Sequence, residues 1–503
     1  MTSTIARRPA LDRRSALLRW APALVGTLAT GVALIGATVP SVWYDEAATV
    51  TAATRGWDGL WAMVANVDAV HAAYYLLMHG LFELVGYSPL ALRLPSALAV
   101  GGTAALLVLL GRRIGGHRLG LLAGLVFAVL PRTLWMGAEG RSYAIAALLV
   151  TASTLVLLIA RESPRRRWWI GYAGLAALSM VVFVYSALVL LAHALAVLAG
   201  PRDPAGTASR RRFALVASGA LLAVAPLAFV IVQQRGQVAW LPSIDGGTLQ
   251  AVLVQQWFGG DRFSWPSGPI DLIAASAGWA LLLVGLVALL RRRGGSGPLV
   301  LALIALPTAV LLAATAFVLP LYSPRYLTMS LPFVALAIAA GIAALPGGRR
   351  RWLALALLVA IGAGSLAVQR DPEAKEGTAW PEVAAWITAD RADAVQTAVV
   401  YGHLRFHGRA TSEVIAQAYP EAFAGMTDAT LARSAADAAS LWAERIPIAD
   451  SSARLDGAQR TYLIGSEVQH DLEDQALVID QAGFTETERV RIGHVVIVRF
   501  DRG

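Results

Sequence analysis

The sequence predicts a mainly α-helical integral membrane protein with about eleven membrane-spanning helices, interfacial helices in the first external loop and a small C-terminal α/β domain. Hydrophobic residues make up 57% of the 503 residues and charged residues only 15%, whereas soluble domains contain roughly 45–50% apolar residues. Long apolar runs recur up to about residue 370, and short arginine-rich segments separate many of them. From residue 371 onward the sequence is charged and mixed, so the predicted domains are 1–370 and 371–503.

The candidate spans are mostly apolar runs of roughly 12–23 residues. They are 17–39, 89–110, 119–130, 143–160, 168–184, 185–198, 213–232, 272–290, 298–318, 327–345 and 352–368. The first run is predicted to be a retained anchor. At about 23 residues it is longer than the apolar region of a signal peptide, and no A-x-A cleavage site follows it.

Arginine clusters predict the orientation of the chain. They lie at Arg7, Arg8, Arg13, Arg14 and Arg19; at Arg112, Arg113 and Arg118; at Arg161, Arg165, Arg166 and Arg167; at Arg202, Arg210, Arg211 and Arg212; at Arg291, Arg292 and Arg293; and at Arg349, Arg350 and Arg351. All of them share one side only if the continuous apolar segment 168–198 crosses the membrane twice. The positive-inside rule makes that side cytoplasmic. This predicts a multi-pass protein of the plasma (inner) membrane with a cytoplasmic N-terminus. The segments 40–88, 131–142, 233–270 and 320–326 and the C-terminal domain are predicted to be extracytoplasmic.

Composition excludes several kinds of partner and site. The formal net charge is +9, but the arginines lie between apolar runs and not on one amphipathic face, so nucleic acid is not a predicted partner. The chain has no cysteine, which excludes disulfides and thiolate metal sites. The histidines His71, His79, His403 and His407 are scattered, so no zinc site is predicted.

The C-terminal domain is predicted to contain both helix and strand. Residues 381–390 have the pattern of an amphipathic helix, 397–401 and 462–464 that of buried strands, and 494–500 that of a final strand.

The first external segment carries two adjacent acids just after the first span, in Trp43-Tyr44-Asp45-Glu46. Acids beside a membrane are often merely solvated, but this segment is also rich in aromatic residues and histidine. These are Trp57, Trp61, His71, Tyr74, Tyr75, His79 and Phe82. Such a composition predicts amphipathic helices along the membrane interface. The segment is followed by Arg93-Leu94-Pro95-Ser96 at the start of the next span.

These motifs resemble those of the glycosyltransferase C superfamily. The resemblance is greatest to the branch that holds protein O-mannosyltransferases, lipid A aminoarabinose transferases and their bacterial relatives. Members of that branch have a WxDE-type acid pair after the first helix, interfacial helices with an H-P-P-x-Y-like segment, and an RLPS motif where the second helix begins. This chain has the acid pair and the RLPS motif. It has His71-Ala72-Ala73-Tyr74 where the family usually has prolines.

Three further motifs extend the resemblance along the chain. Glu139-Gly140-Arg141-Ser142-Tyr143-Ala144 resembles the second acidic motif of the family, an acid followed by an RxYA helix start. Tyr322-Ser323-Pro324-Arg325-Tyr326-Leu327 resembles its PRYL motif, and Trp380-Pro381-Glu382-Val383-Ala384 resembles the start of the C-terminal domain of bacterial members. The resemblance makes 1–370 the catalytic domain.

The resemblance implies an inverting transfer of a sugar from a polyprenyl phosphate to an acceptor hydroxyl on the extracytoplasmic face. The attacking hydroxyl must lose its proton, and Asp45 is the predicted base. Glu46 is predicted to orient the acceptor or to support the loop. Glu139 is predicted to bring a second carboxylate to the same cavity, with an ion pair to Arg141 or Arg132 as the alternative.

Arginine is predicted to hold the leaving phosphate, because its planar fork matches phosphate oxygens. Arg325 and Arg141, with Tyr326, are the predicted phosphate-binding residues, and the alternative for Arg325 is simple anchoring at lipid headgroups. The predicted substrate-binding residues are His71, Tyr74, Tyr143 and Trp257. No cofactor is expected, although an Asp- or Glu-bound divalent cation, as some relatives use, is compatible with the acids.

The predicted partners are membrane lipids, a polyprenyl-phosphate sugar donor, and a glycan, glycolipid or protein acceptor. Mannose is the favoured sugar, since it is the commonest donor sugar in the branch. Two other functions are open: a lipid-linked sugar flippase or transporter, and a catalytically silent scaffold. The transporter is disfavoured because the Asp45 segment has no repeat in the second half of the chain, and because few ionisable residues besides His193 lie within the spans.

Overall fold

The structure is a computed structural model that describes residues 13–163, 165–200, 204–260, 268–292, 296–391, 396–405, 407–467 and 471–503. Arg7, Arg8, Arg202 and Arg293 of the arginine clusters lie outside the described residues. The α-helices are α1 (Arg13–Leu34), α2 (Tyr44–Ala53), α3 (Trp57–Asn66), α4 (Ala72–Val85), α5 (Pro89–Gly115), α6 (His117–Val129), α7 (Pro131–Gly137), α8 (Tyr143–Glu162), α9 (Arg166–Val182), α10 (Ala187–Leu198), α11 (Pro204–Gln233), α12 (Gly246–Gln250), α13 (Gln256–Phe258), α14 (Pro269–Leu290), α15 (Ser296–Phe317), α16 (Leu331–Ala344), α17 (Gly348–Gln369), α18 (Trp380–Asp390), α19 (Glu413–Ala418), α20 (Pro420–Phe423), α21 (Ser452–Leu455) and α22 (Asp471–Gln481).

Short 3-10 helices and strands complete the fold. The 3-10 helices are Ala69–His71, Val184–Ser186, Arg235–Val238, Pro324–Ser330 and Ile448–Asp450, and a π-helical turn covers Ala251–Gln255. The strands are β1 (Thr397–Tyr401), β2 (His403–Leu404), β3 (His407–Thr411), β4 (Thr427–Asp428), β5 (Leu431–Arg433), β6 (Glu444–Arg445), β7 (Arg460–Gly465), β8 (Phe484–Ile492) and β9 (Val495–Arg502).

Within the described residues, seven helices are long and apolar enough to cross a membrane. They are Pro89–Gly115, Tyr143–Glu162, Pro204–Gln233, Pro269–Leu290, Ser296–Phe317, Pro324–Ala344 and Gly348–Gln369. The bent pair α6 and α7 gives eight if it is counted as one span. The predicted number of eleven is not confirmed, because the other three runs give apolar helical stretches shorter than 18 residues. These are Leu18–Leu34 within α1, Arg166–Val182 and Val184–Leu198.

The bend between α6 and α7 has a local cause. Pro131 is the first residue of α7, and Leu130 before it is extended, with φ −65° and ψ 135°. A proline disfavours the α conformation in the residue that precedes it, yet fits the first turn of a new helix. The chain therefore turns by 66° here. The segment 131–142 begins with a helix, a feature that the sequence did not predict.

The described chain divides into two compact units. The first contains residues up to Ile35, Leu94–Phe229 and Val238–Ala367, and thus most of the long apolar helices. Its helices approach closely at small residues: a Cβ on Gly285 of α14 would overlap the carbonyl of Ala337 in α16, and one on Gly341 would overlap the carbonyl of Leu281. Such small residues let apolar helices pack backbone to backbone.

The second unit contains Gly36–Arg93, Val230–Gln237 and Val368–Gly503. Its sheet has the strand order β4-β1-β7-β9-β8, in which β1 pairs in parallel with β4 and β7, and β9 pairs antiparallel with β7 and β8. Ala398, Val400, Leu463, Val496 and Val498 belong to its buried core. The predicted helix and strands of the C-terminal region are confirmed as α18, β1, β7 and β9.

The first loop of the chain packs on the C-terminal region within this second unit. Helix α2 packs on α19, the Tyr87 hydroxyl donates to the Ala418 carbonyl at 3.0 Å, and the Val42 amide donates to the Tyr419 hydroxyl at 3.3 Å. The compact unit therefore includes 36–93 and 230–237, which the sequence prediction had grouped with the domain 1–370.

Candidate active site

The first acidic motif opens helix α2 in the second unit. Trp43 is buried and extended, and the helix begins at Tyr44, so Asp45 and Glu46 both lie in its first turn. Carboxylates at a helix N-terminus are stabilised by the helix dipole. The two acids differ in environment, because Asp45 is partly exposed whereas Glu46 is 0% exposed.

Two buried cations hold Glu46. Arg93 donates from Nε to Oε1 at 2.8 Å and from Nη2 to Oε2 at 2.6 Å, which is the bidentate pairing that favours arginine. Lys375, the only lysine of the chain, places Nζ 2.8 Å from Oε1. Arg93 also donates to the carbonyls of Ala37 and Pro40, at 2.7 and 2.8 Å. It therefore fixes both the acid and the backbone that leads into α2.

The pKa of the Glu46 carboxyl reflects this pairing. Burial raises the pKa, but Arg93 and Lys375 together lower it further than burial raises it, to about 2. Glu46 is therefore ionised at neutral pH and is a poor proton acceptor. Of the two roles predicted for it, these contacts favour support of the loop.

The segment around His71 and Tyr74 is shaped without the prolines that the family usually has. Asp68 has a left-handed backbone, with φ 61°, and its carboxylate accepts from the Tyr75 hydroxyl at 2.5 Å. Gln234 accepts from the Ala69 amide at 2.9 Å. His71 ends the 3-10 turn and lies 5.9 Å from the Tyr75 ring, and Tyr74 is buried in the first turn of α4.

The second acidic motif forms a buried turn between α7 and α8 in the first unit. Glu139 is 0% exposed and Arg141 is 6% exposed. The Ser96 hydroxyl is 2.6 Å from the carbonyl of Glu139 and 3.3 Å from that of Arg141, so it binds the backbone of the turn directly. Arg132 on α7 donates to the carbonyl of Gln255 and lies 4.9 Å from the Trp135 ring. The ion-pair alternative for Glu139 stays a prediction.

The PRYL-like motif begins a 3-10 helix that leads into α16. Arg325 is 3% exposed, and its guanidinium lies 5.8 Å from the ring centre of Trp240. Tyr326 stacks on Tyr185, with ring centres 4.9 Å apart, and meets the edge of Phe183 at 6.1 Å. Phe183 also meets Tyr143 of the second acidic motif, at 5.8 Å. The aromatic residues thus connect these two motifs.

Trp257 lies on the short helix α13. Within the first unit, this helix packs against α7 and against the 3-10 helix Pro324–Ser330, here called the PRYL-like turn. Trp257 is 1% exposed. Next to it, the Gln256 amide donates to Thr308 and its carbonyl oxygen accepts from the Tyr322 hydroxyl, both at 3.0 Å. Tyr322 precedes Arg325, so this network fixes the start of the PRYL-like turn.

The predicted residues therefore form one group in each unit. In the first unit, the turn between α7 and α8 carries Glu139 and Arg141, and α8 begins at Tyr143. Helix α13 carries Trp257, and the 3-10 helix Pro324–Ser330 carries Arg325 and Tyr326. These elements pack together. In the second unit Asp45 and Glu46 lie on α2, and His71 and Tyr74 precede or begin α4, which packs on α2.

One residue that bears on the site, Lys375, was not predicted. It has no motif around it, and its one signal is that it is the sole lysine among arginines. The hydrogen bonds of Gln256 depend on tertiary contacts. As for metals, the described part of the chain contains no group of three or more His, Asp or Glu side chains that could hold an ion, and the expectation of no zinc stays a prediction.

Comparisons with known proteins place the fold. Residues 72–230 match the family of dolichyl-phosphate-mannose-protein mannosyltransferases. No curated protein sequence matches the chain. Among solved structures, apo ArnT from Cupriavidus metallidurans has 12% identity and a TM-score of 0.58, with 96% of this chain and 98% of that chain covered. The same protein bound to undecaprenyl phosphate has 12% identity and a TM-score of 0.55, with 97% and 98% covered.

A second kind of protein shares the fold. The oligosaccharyltransferase AglB from Archaeoglobus fulgidus, solved with an inhibitory peptide and a dolichol-phosphate, has 11% identity and a TM-score of 0.50. The match covers 96% of this chain and 74% of the AglB chain. The chain therefore has the fold of ArnT and AglB, and the family match of residues 72–230 supports the resemblance to the glycosyltransferase C superfamily that the motifs indicate.

Proposed function

We propose that this protein is an inverting membrane glycosyltransferase that moves a sugar from a polyprenyl phosphate to an acceptor hydroxyl on the extracytoplasmic face. The family match of residues 72–230, the fold of ArnT, and the undecaprenyl phosphate and dolichol-phosphate bound by ArnT and AglB support this proposal. Mannose is the proposed sugar, on the strength of the family description alone.

The observation that carries the proposal is the difference in burial and contacts between the two acids of the pair. Glu46 is fully buried and bound by Arg93 and Lys375, whereas its neighbour Asp45 is partly exposed in the first turn of α2. A site that needs one accessible carboxylate in a fixed place is built in this way. The buried acid fixes the turn, and the partly exposed acid is the proposed proton acceptor.

The proposed reaction is a single displacement at the anomeric carbon. Asp45 accepts the proton of the acceptor hydroxyl while the oxygen of that hydroxyl forms the new bond to the anomeric carbon. The bond from the anomeric carbon to the phosphate oxygen breaks, and its electron pair leaves on the polyprenyl phosphate. One carboxylate suffices for such an inverting step, because no covalent intermediate has to form.

Arg325 and Arg141 are the proposed phosphate-binding residues. Both are almost fully buried in the first unit, where a cation interacts strongly with an anion because little water screens it. Negative charge grows on the leaving oxygen during the step, so a fixed guanidinium stabilises the transition state more than the bound donor. Glu139, held next to Arg141 by the shared turn, is the proposed contact for a sugar hydroxyl.

The acid pair does not fit a divalent ion. Both oxygens of Glu46 are already bonded to cations, so a metal at this motif would have Asp45 as its only carboxylate ligand there. Transfer is expected to continue after treatment with EDTA.

A transfer assay tests the function. Purified protein in lipid nanodiscs is given polyprenyl-phosphate-[14C]mannose and a membrane extract as acceptor, and labelled product is counted for wild type and for Asp45→Asn. Labelled product from wild type and almost none from Asp45→Asn supports the proposal. Movement of the intact labelled lipid across liposomes, with no transferred sugar, would instead identify a flippase.

A further inference from the structure

A β-hairpin of the C-terminal region reaches the helix that begins with the first acidic motif. Strands β5 and β6 pair antiparallel, with Leu431 opposite Arg445 and Arg433 opposite Glu444. Residues 434–443 join the two strands and are here called the hairpin tip. Both the hairpin and α2 belong to the second unit, so the contacts between them lie within one compact unit.

The hairpin tip contacts the first residue of α2. Trp442 donates from its indole Nε1 to the Tyr44 hydroxyl at 3.1 Å, and the two ring centres lie 5.1 Å apart. Both residues are partly buried. A ring contact combined with a hydrogen bond restricts both side chains. Tyr44 is followed directly by Asp45, so this contact lies one residue from the proposed base.

The hairpin tip also holds the other end of α2. Arg55, which lies just after this helix, donates from Nη2 to the Ser440 carbonyl at 2.5 Å and to the Leu441 carbonyl at 3.4 Å. Its Nε donates to the carbonyl of Thr51, in the last turn of α2, at 3.0 Å. The guanidinium therefore joins the end of the helix to the hairpin tip. A cation at this end also interacts favourably with the helix dipole.

The backbone of the hairpin tip has a conformation that needs such support. Ala439, directly before Ser440, has a left-handed backbone with φ 46°. A non-glycine residue in this region costs free energy and persists where the surrounding contacts require it. Earlier in the tip, the Ser434 hydroxyl donates to the Asp437 carboxylate at 2.5 Å and accepts from the Asp437 amide at 3.1 Å. The tip is thus shaped by its own turn and by the bonds from Arg55.

The base of the hairpin is fixed to an element that also packs on α2. Arg445 of β6 bonds to Glu413 of α19 at 2.8 Å and to Asp428 of β4 at 3.0 Å. Its side chain is 13% exposed, so these ion pairs are largely shielded from water. Helix α19 packs on α2, and the Thr51 hydroxyl donates to Gln417 of α19. The hairpin and α2 are therefore both fixed to α19.

Asp45 lies between two residues whose side chains are held. Tyr44 is bound by Trp442, and Glu46 is bound by the two buried cations described above. We propose that Trp442 and Arg55 are positioning residues, which hold α2 so that Asp45 meets the acceptor hydroxyl in a productive geometry. This inference rests on the proposed function. A displacement of about 1 Å can cost roughly 10²-fold in rate, so the effect of such support is measurable.

Kinetics in two backgrounds test this role. Trp442→Phe and Trp442→Ala are made in the wild-type chain and in the Asp45→Asn variant, and transfer of labelled sugar is measured in nanodiscs. Turnover is expressed per molecule that binds undecaprenyl phosphate, so that misfolded protein is not counted. Trp386→Ala is the matched control. Trp386 is a partly buried tryptophan of α18 in the same unit, and its ring centre lies 6.1 Å from that of Tyr462 in β7.

The two substitutions of Trp442 should lower turnover to different extents. Trp442→Phe keeps a ring and loses the hydrogen bond, so turnover should fall roughly twofold to tenfold with an unchanged KM for the donor. Trp442→Ala loses the ring contact as well and should lower turnover roughly 10–100-fold. Arg55→Gln should also lower turnover, because the bonds to the hairpin tip are lost. Trp386→Ala should leave turnover unchanged.

The Asp45→Asn background separates positioning from general structural damage. A positioning residue acts through the base, so Trp442→Phe and Trp442→Ala should have almost no further effect once the base is removed. Hydrogen exchange of the α2 amides gives a readout that does not need transfer. Exchange should be faster in Trp442→Ala than in wild type, and Trp386→Ala should leave it unchanged.

Wild-type turnover in both Trp442 variants would overturn the proposal, and Trp442→Phe alone decides if Trp442→Ala does not fold. An equal fold loss in the two backgrounds would also overturn it, as would unchanged exchange of the α2 amides in Trp442→Ala. Failure of the proposed function has a different signature. In that case wild type transfers no sugar, while exchange of the α2 amides still responds to Trp442→Ala and not to Trp386→Ala.

Discussion

Two chemically similar acids stand next to each other in this chain, and their surroundings give them different properties. Glu46 is enclosed by Arg93 and Lys375, and the pKa of its carboxyl is lowered to about 2. Asp45 is partly exposed one residue earlier in the same helical turn. Neighbouring carboxyls in unlike environments are typical of sites where one acid takes part in chemistry and the other fixes the structure.

Replacement of Asp45 tests the first of these roles. Asp45→Asn keeps the shape of the side chain and removes the proton acceptor, so turnover should fall by roughly 10²–10⁴ while donor binding is kept. Turnover is measured with saturating labelled donor, and binding with undecaprenyl phosphate. Near-normal turnover in this variant would move the base to Glu139, since Glu46 is ion-paired.

Replacement of Glu46 should have a different effect. Glu46→Gln leaves Arg93 and Lys375 buried beside a neutral group, and breaking a buried ion pair in this way costs about 3–5 kcal/mol. The melting temperature in detergent should therefore fall. Glu421→Gln, at an exposed acid of α20, is the control and should change stability by less than about 0.5 kcal/mol.

The pH dependence of this stability has a definite sign. The pKa of Glu46 is lower in the folded protein than its ordinary value of 4.5, so its contribution is complete above that value and is lost as pH falls toward 2. The stability difference between wild type and Glu46→Gln should thus be constant between roughly pH 5 and 8. A difference that grew across this range would show that Glu46 titrates there and is free to act as a base.

Arg325 is the residue on which the phosphate assignment depends. Arg325→Lys keeps the charge but loses the planar fork, so we expect partial loss of activity, whereas Arg325→Ala should lose most activity and affinity for polyprenyl phosphate. Inhibition constants of polyprenyl phosphate for wild type, Lys and Ala variants measure this. Arg291→Ala, at an exposed arginine that ends α14, is the control. Equal inhibition constants in wild type, Arg325→Lys and Arg325→Ala would mean that Arg325 only anchors the chain at the lipid headgroups.

At the scale of secondary structure elements, the first turns of α5 hold both acidic motifs. Arg93 binds the carboxylate of Glu46 in the second unit, and three residues later Ser96 binds the carbonyls of Glu139 and Arg141 in the first unit. The family motif that begins this span therefore has a physical meaning. Its arginine, Arg93, fixes the side chain of the first acidic motif, and its serine, Ser96, fixes the backbone of the second.

Loss of the Ser96 hydroxyl should act on the second acidic motif. Ser96→Ala removes the donor to the Glu139 carbonyl inside a buried turn, which costs about 1–3 kcal/mol. Turnover should fall as well, because Glu139 and Arg141 lose their fixed position. Ser179→Ala is the matched control, since that buried hydroxyl donates to a carbonyl of its own helix, at 2.8 Å. Similar melting temperatures and rates for the two variants would contradict this role of Ser96.

Sequence periodicity predicted most elements and missed those that depend on distant contacts. The apolar runs 89–110, 143–160 and 272–290 appear as α5, α8 and α14, and the strand 397–401 is β1, because burial periodicity is a local signal. The 66° bend at Pro131 and the π-helical turn at Ala251–Gln255 were not predicted. The ion pair between Arg93 and Glu46 joins residues 47 positions apart, which one sequence does not reveal.

At the scale of the whole molecule, the two compact units do not follow the linear division of the chain. The sequence predicted a break near residue 370, because composition changes there. In the structure the second unit also takes in Gly36–Arg93 and Val230–Gln237, and residues such as Tyr44, Arg55 and Thr51 bond to the C-terminal region. These contacts join residues that are far apart in sequence, so composition alone carried no sign of them.

The orientation of the chain is the last prediction, and it does not require the total number of spans. In the described part of residues 293–370, three helices are long and apolar enough to cross a membrane, namely Ser296–Phe317, Pro324–Ala344 and Gly348–Gln369. Three crossings place the two ends of this stretch on opposite sides. Two crossings separate the arginines at 291–293 from those at 349–351, so both clusters lie on one side, which the positive-inside rule makes cytoplasmic. We therefore expect a green fluorescent protein fused after residue 293 to fluoresce and an alkaline phosphatase fused there to be inactive, with the reverse result for fusions after residue 370. A fusion after residue 320 should behave like the one at 370, since one crossing separates it from 293. Phosphatase activity at both 293 and 370 would contradict the orientation, and with it the assignment of the acidic motifs and the C-terminal domain to the extracytoplasmic side.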